Sequence, residues 1–193
     1  SGLTNSSISA LAVSDTCLFA GTGDGVFLTT NNGTSWTKVN SGIFGATVNA
    51  LAVSDSSVFA TTFAGGVFRS TNNGTSWFAV NNGLGFAPVR AFAVNGTYLF
   101  AATGGEGVFL STNNGTNWVA VNTGLTKTHI RALAIGGTNL FAGTDSGAIF
   151  YSSNNGSSWT ASSGELSSTR VNAFSLNGTH VLTGTDCGVF VST

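Results

Sequence analysis

The chain has 193 residues, a length at which one domain with a substantial core is expected. Only 7% of its residues are charged and its formal net charge is -1, so it lacks the basic surface that binds a nucleic-acid backbone. No apolar run approaches the roughly 18 residues of a spanning helix, and the start of the chain does not resemble a signal peptide. Uncharged polar residues dominate instead, which favours an extracellular or cell-surface location. Because the sequence contains no Met, we expect a processed product or a piece of a longer chain.

The first predicted elements come from an internal repeat. A phrase that ends in Trp recurs every 41 residues, as TTNNGTSW (29–36), STNNGTSW (70–77), STNNGTNW (111–118) and SSNNGSSW (152–159). Within the unit 48–88, four short segments rich in Val, Phe and Ala (VNALAV, SVFATT, GVFRS and TSWFAV) alternate with Gly, Asn and Ser clusters and predict four strands. The turns at 54–57 and 72–74 suit hairpins, and no segment has helical periodicity. Antiparallel four-stranded units at this period predict an all-β fold, the β-propeller.

The Trp phrase resembles the Asp-box (BNR) motif, Ser/Thr-x-Asp-x-Gly-x-x-Trp, of the sialidase and sortilin-like superfamily of β-propellers. The matching positions are Asn31, Gly33, Trp36, Asn72, Gly74, Trp77, Asn113, Gly115, Trp118, Asn154, Gly156 and Trp159. Asn replaces Asp in every complete copy, and its carbonyl can still accept hydrogen bonds from the turn. The resemblance implies that the motif lies on the hairpin between the third and fourth strands, with each Trp buried between blades. It does not specify a function, because Asp-boxes occur in sialidases, other glycosidases, receptors and assembly factors.

The first-strand phrase occurs five times and predicts five blades in one domain. The predicted blades are 8–47, 48–88, 89–129, 130–170, and 171–193 together with 1–7. The fifth blade lacks its outer strand, which leaves the edge of its third strand unpaired. Two explanations stay open. The chain is a piece of a larger propeller, or a neighbouring molecule or an appended segment supplies the strand, so that the chain self-associates through blade five.

Charged and aromatic side chains are predicted to collect on one face, where the loops between blades and between second and third strands meet. The candidate binding residues are Arg90, Arg131, Asn49, Asn172, Asp24, Phe63, Glu106, Asp145 and Asp186. Phe86 and Glu165 are expected on the same face. One interpretation is that charges simply avoid packed strands; the other is a polar cup with aromatic platforms that holds a sugar or a protein segment. Arg90 and Arg131 are the main candidates, although they could equally neutralise Glu106 and Asp145.

Catalytic and metal sites are not predicted. A sialidase would use a Tyr with a carboxylate, but Tyr98 and Tyr151 lie inside predicted strands, where packing is their expected role. The acidic loop residues are explained as readily by equivalent turns as by the paired carboxylates of a glycosidase. The two His residues stand alone, so we expect no metal and no cofactor. Cys17 and Cys187 are predicted at opposite ends of strands and therefore as free thiols.

The near-identity of the blades favours a non-catalytic propeller that is secreted or surface-exposed and serves as a structural or binding module. Repetitive construction and multivalent binding tolerate sameness, whereas an enzyme needs one asymmetric site. Its expected partner is a protein or a glycan on the loop face, with assembly through the incomplete blade as a further route. The alternatives are a lectin-like carbohydrate binder and an Asp-box glycoside hydrolase.

Overall fold

The computed structural model describes residues 1–192 except 46, 86, 163–165, 167–168 and 179. The predictions for Phe86 and Glu165 therefore lie outside the described residues. The described part of the chain forms strands and turns and contains no helix. The strands are β1 (Ile8–Ser14), β2 (Cys17–Thr22), β3 (Gly25–Thr29), β4 (Thr37–Lys38), β5 (Val48–Ser54), β6 (Ser57–Thr62), β7 (Gly66–Ser70), β8 (Phe78–Ala79), β9 (Val89–Asn95), β10 (Tyr98–Thr103), β11 (Val108–Ser111), β12 (Val119–Ala120), β13 (Ile130–Gly136), β14 (Asn139–Thr144), β15 (Ile149–Ser152), β16 (Thr160–Ala161), β17 (Val171–Asn177), β18 (His180–Thr185) and β19 (Gly188–Ser192).

The strands form antiparallel sheets in which neighbours in the sheet are neighbours in the chain. Four sheets have four strands each: β1–β4, β5–β8, β9–β12 and β13–β16. The fifth has the three strands β17–β19. We call these sheets blades one to five. Each fourth strand is only two residues long, because the polar turn of the Trp phrase occupies the residues before it.

The blades stand side by side around a channel. Their first strands pack in order, β1 against β5, β5 against β9, β9 against β13 and β13 against β17, and together they line the channel. In the described part of the chain, β17 does not pack against β1 in this way, so the five blades form an open arc. The arc leaves one side of blade one and one side of blade five without a neighbouring blade.

The core lies between blades. Between blades one and two, Phe19 and Val26 pack with Val58 and Phe68, and each of these side chains is at most 1% exposed. Equivalent clusters fill the next two boundaries. A strand whose two faces are both apolar is thus buried only when a neighbouring blade covers it.

The turn of the Trp phrase is held by side-chain hydrogen bonds. In blade two, the Asn72 carbonyl oxygen accepts the Ser76 N–H at 2.9 Å and the Ser70 hydroxyl at 2.9 Å. The Ser70 hydroxyl oxygen accepts the Gly74 N–H at 2.9 Å. Asn73 and Gly74 have φ values of 52° and 82°, a left-handed conformation that Asn and Gly tolerate. The Asn31, Asn113 and Asn154 side chains accept the same turn N–H, so an uncharged amide serves each hairpin.

The tryptophans join consecutive blades. The indole N–H of Trp77 donates to the Val39 carbonyl of blade one at 2.8 Å, and Trp118 and Trp159 repeat this bond at the next two boundaries. These three side chains are 3–5% exposed. The expectation that every Trp is buried is wrong for Trp36, which is half-buried because no blade covers its side of blade one. Its backbone N–H still donates to the Ser1 carbonyl, as that of Trp77 does to Ser41.

We therefore expect Trp77→Phe to destabilise the chain much more than Trp36→Phe. Trp77→Phe removes the donor to the partly buried Val39 carbonyl, a loss of about 0.5–1.5 kcal/mol. Trp36→Phe is the matched control, because it makes the same chemical change at a half-buried position with no indole bond across a blade boundary. Urea denaturation of both variants measures the difference. Equal losses of unfolding free energy would show that the interblade bond contributes nothing.

Candidate functional site

The channel mouth is built from equivalent positions in the five blades. The second residue of each first strand lines the channel: Ser9, Asn49, Arg90, Arg131 and Asn172. Four of these residues, all except Ser9, also line an open cavity of about 360 Å³ together with Phe63 and Pro88. The repeat brings these side chains together because each occupies the second position of its first strand. The structure thus gathers five of the predicted binding residues at one opening.

One carboxylate is shared by two arginines at this mouth. Arg90 Nη1 lies 3.0 Å from Asp145 Oδ2, and Arg131 Nη1 lies 3.2 Å from Asp145 Oδ1. The three side chains are 30–35% exposed, so solvent screens the pairs and their contribution to stability is small. The cluster carries two positive charges and one negative charge. Its net positive charge stands out in a chain whose net charge is -1.

Gly104 explains why Arg90 reaches into the next blade. In blades four and five the residue at the channel position pairs with an acid 14 residues later: Arg131 with Asp145, and Asn172 with Asp186 at 2.7 Å. The position 14 residues after Arg90 is Gly104, which offers no side chain. A Cβ at Gly104 would lie 2.6 Å from Arg90 Nε, closer than a non-bonded carbon can approach. The glycine therefore makes the space through which the Arg90 side chain crosses to Asp145.

The remaining predicted residues lie in the turns around the mouth. Glu106 accepts the Ala87 N–H at 2.8 Å, whereas both arginines bind Asp145. Phe63 is 72% exposed and forms an apolar wall of the cavity. Asp24 occupies the corresponding turn of blade one, where its backbone N–H donates to the Thr22 hydroxyl.

Three asparagines that were not predicted hold these turns in place. Asn81 accepts the Val67 N–H at 2.7 Å and donates to the Gly65 carbonyl at 3.3 Å, which anchors the turn that carries Phe63. Asn122 does the same for the turn that carries Glu106, and Asn40 for the turn of Asp24. The 41-residue spacing of the three asparagines is the signal that could have found them.

A second cavity, of about 380 Å³, has Asp145 in its lining. Lys127 and His129 also line it, so a further cation shares a cavity with the carboxylate that both arginines contact. Among the described residues, no group of three His, Cys, Asp or Glu side chains could hold a metal ion. The arrangement offers hydrogen-bond donors, positive charge and an apolar wall, which suits the binding of a polar or anionic ligand.

Other side chains considered for chemistry lie apart from the mouth. Tyr98 packs against Phe100, with ring centroids 6.4 Å apart, but Tyr151 is 40% exposed on its strand, contrary to the packing role expected for it. Cys17 is buried, Cys187 is exposed, and both are free thiols.

No known protein family and no curated protein matches the sequence. Solved structures do match. YCF48 bound to D1 peptide has 15% identity and a TM-score of 0.72 over 96% of this chain and 63% of that one. The extracellular domain of the one component system BT4673 from B. thetaiotaomicron has 15% identity and a TM-score of 0.80 over 96% and 26%. The GH74 xyloglucanase from Xanthomonas campestris has 16% identity and a TM-score of 0.74 over 94% and 34%.

These likenesses, with the sheet order and the shared channel, define the chain as a β-propeller and confirm the fold predicted from the sequence. At such identities they show the fold alone. The chain spans less than two thirds of each of the three matched chains. In the described part of the chain no helix is long and apolar enough to cross a membrane.

Two adjacent glycines test the crossing of Arg90. Gly104→Ala should lower the unfolding free energy by no more than about 1 kcal/mol, because its Cβ overlaps the Arg90 guanidinium, the partly exposed end of a flexible side chain that can shift away from Asp145. Gly105→Ala is the control, since the nearest atoms would lie at ordinary contact distances of 3.9–4.0 Å. In an Arg90→Ala background the cost of Gly104→Ala should largely disappear. Denaturation of the single and double variants measures this coupling, and an undiminished cost would mean that something other than Arg90 requires the glycine.

Proposed function

We propose that this chain is a non-catalytic binding module, a propeller of the Asp-box type with Asn in place of Asp, that holds an acidic segment of a protein partner at the channel mouth. The main observation in support of this proposal is that Arg90 and Arg131 share the single carboxylate of Asp145. The low charge content of the chain supports an extracellular or cell-surface setting.

The arginines retain capacity for a ligand carboxylate. A guanidinium has several N–H donors in a planar fork, and the hydrogen bond of each arginine to Asp145 uses a single nitrogen, Nη1. A second carboxylate entering the cavity would meet both guanidiniums, and Asn49 and Asn172 lie on the same lining. A ligand with one negative charge would then bring the net charge of the cluster to zero.

A protein segment fits the rest of the lining better than a sugar does. Phe63 and Pro88 form an apolar wall that can accept an aliphatic or aromatic side chain next to the acidic one. The cavity is open, as an extended chain requires. Among the similar structures, YCF48 is bound to a peptide, which supports this choice of ligand.

Binding of acidic peptides tests the proposal. An array of peptides with clustered Asp and Glu should include binders, and Arg90→Ala and Arg131→Ala should each weaken the best binder at least about tenfold, the loss of one charged hydrogen bond. Lys38→Ala is the matched control, because it removes one positive charge from the exposed outer strand of blade one and should leave affinity unchanged. Affinity should also fall as salt is raised.

Glycans separate the alternatives. Binding to a glycan array without turnover would replace the proposal with a lectin-like function, and hydrolysis of a polysaccharide would replace it with a glycoside hydrolase. Peptide binding that is equally strong in Arg90→Ala and Arg131→Ala would place the site elsewhere.

A further inference from the structure

The first strand of blade one, β1, carries three apolar side chains that the described part of the chain leaves exposed. Ile8, Leu11 and Val13 are 41%, 62% and 66% exposed. We call these three residues the leading face. In blade two the equivalent residues are Val48, Leu51 and Val53, which pack into the cluster that also contains Phe19 and Phe68. The leading face therefore corresponds to the surface that, in the later blades, packs against the preceding blade.

Blade five presents the complementary half. Val189 and Val191, whose side chains point to the same side of β19, are 68% and 60% exposed, and we call them the trailing face. The residues equivalent to Val189 in the first three blades are Val26, Val67 and Val108, all 0% exposed, because each packs in the boundary cluster shared with the next blade. The trailing face is thus the surface that receives a following blade.

Each half packs against the other inside the chain, in the clusters at the first three boundaries between consecutive blades. The two terminal halves do not meet one another, because β17 and β1 do not pack together in the described arc. The side chains that define the two faces are apolar and uncharged, which favours their burial.

We infer that the leading face of one copy docks on the trailing face of a second copy, which reproduces between molecules the contact that joins consecutive blades within one. This surface is separate from the channel mouth, so the inference does not depend on the proposed function. Such a contact would bury the apolar side chains of both faces, whereas pairing through the edge of β19 would use backbone hydrogen bonds alone. The contact is head-to-tail, and each added copy leaves one leading and one trailing face open, so association continues beyond the dimer.

Two double variants test the head-to-tail contact by light scattering with size exclusion over a range of concentrations. The first carries Leu11→Asp and Val13→Asp, and the second carries Val189→Asp and Val191→Asp. The unmodified chain should grow with concentration beyond 19.4 kDa, and each variant alone should remain a monomer. A one-to-one mixture should form dimers and nothing larger, because each variant contributes one intact face. Only a head-to-tail contact between unlike faces gives this pattern.

Phe78→Asp is the matched control. Phe78 is 65% exposed on β8, outside both faces, and its variant should associate like the unmodified chain. Circular dichroism of each variant checks that the substitutions, all at exposed positions, preserve the sheets. An unmodified chain that stays monomeric at every concentration overturns the inference. So does a double variant that dimerises alone, since that result would require contact between like faces.

Discussion

The contact across each blade boundary is the interaction on which the rest of the structure depends. A four-stranded sheet with two apolar sides cannot bury itself, so each blade is stable only beside another. The indole N–H of Trp77, bonded to the Val39 carbonyl, anchors the outer part of one boundary, while side-by-side packing of β1 and β5 forms its inner part. Repetition of this contact sets the channel, and the channel brings one side chain of every blade to the same mouth.

The strands could be predicted because the physical requirements repeat with the sequence. Each later first strand begins with a buried β-branched residue, Val48, Val89, Ile130 or Val171, all 0% exposed, and the turn of each Trp phrase carries Asn and Gly where positive φ is needed. The exposure of Trp36 could not be predicted in the same way. Its phrase is identical in type to the others, but burial depends on what lies across the boundary and not on the phrase itself.

The site could be predicted as a region but not as a set of contacts. Equal spacing placed Asn49, Arg90, Arg131 and Asn172 at one mouth, since equivalent residues of a repeat occupy equivalent positions. The pairing of Arg90 with Asp145 depends on the absence of a side chain at Gly104. The sequence contains many glycines in turns, and it does not show which neighbouring side chain passes close to a given one. Asn40, Asn81 and Asn122 were missed for a related reason, because Asn is also the ordinary residue of turns.

The repeat contains positions that stay the same between blades and positions that vary, and these two sets of positions suit different kinds of contact. The interblade residues stay apolar from blade to blade, so a terminal blade side is already shaped for another blade. The channel position varies between Ser, Asn and Arg, and only blades three and four place Arg there. Variation at one position on a constant frame creates local charge without changing the fold. On the two proposals made above, recognition of an unlike partner therefore belongs to the channel mouth, and recognition of a like molecule belongs to the terminal blade sides.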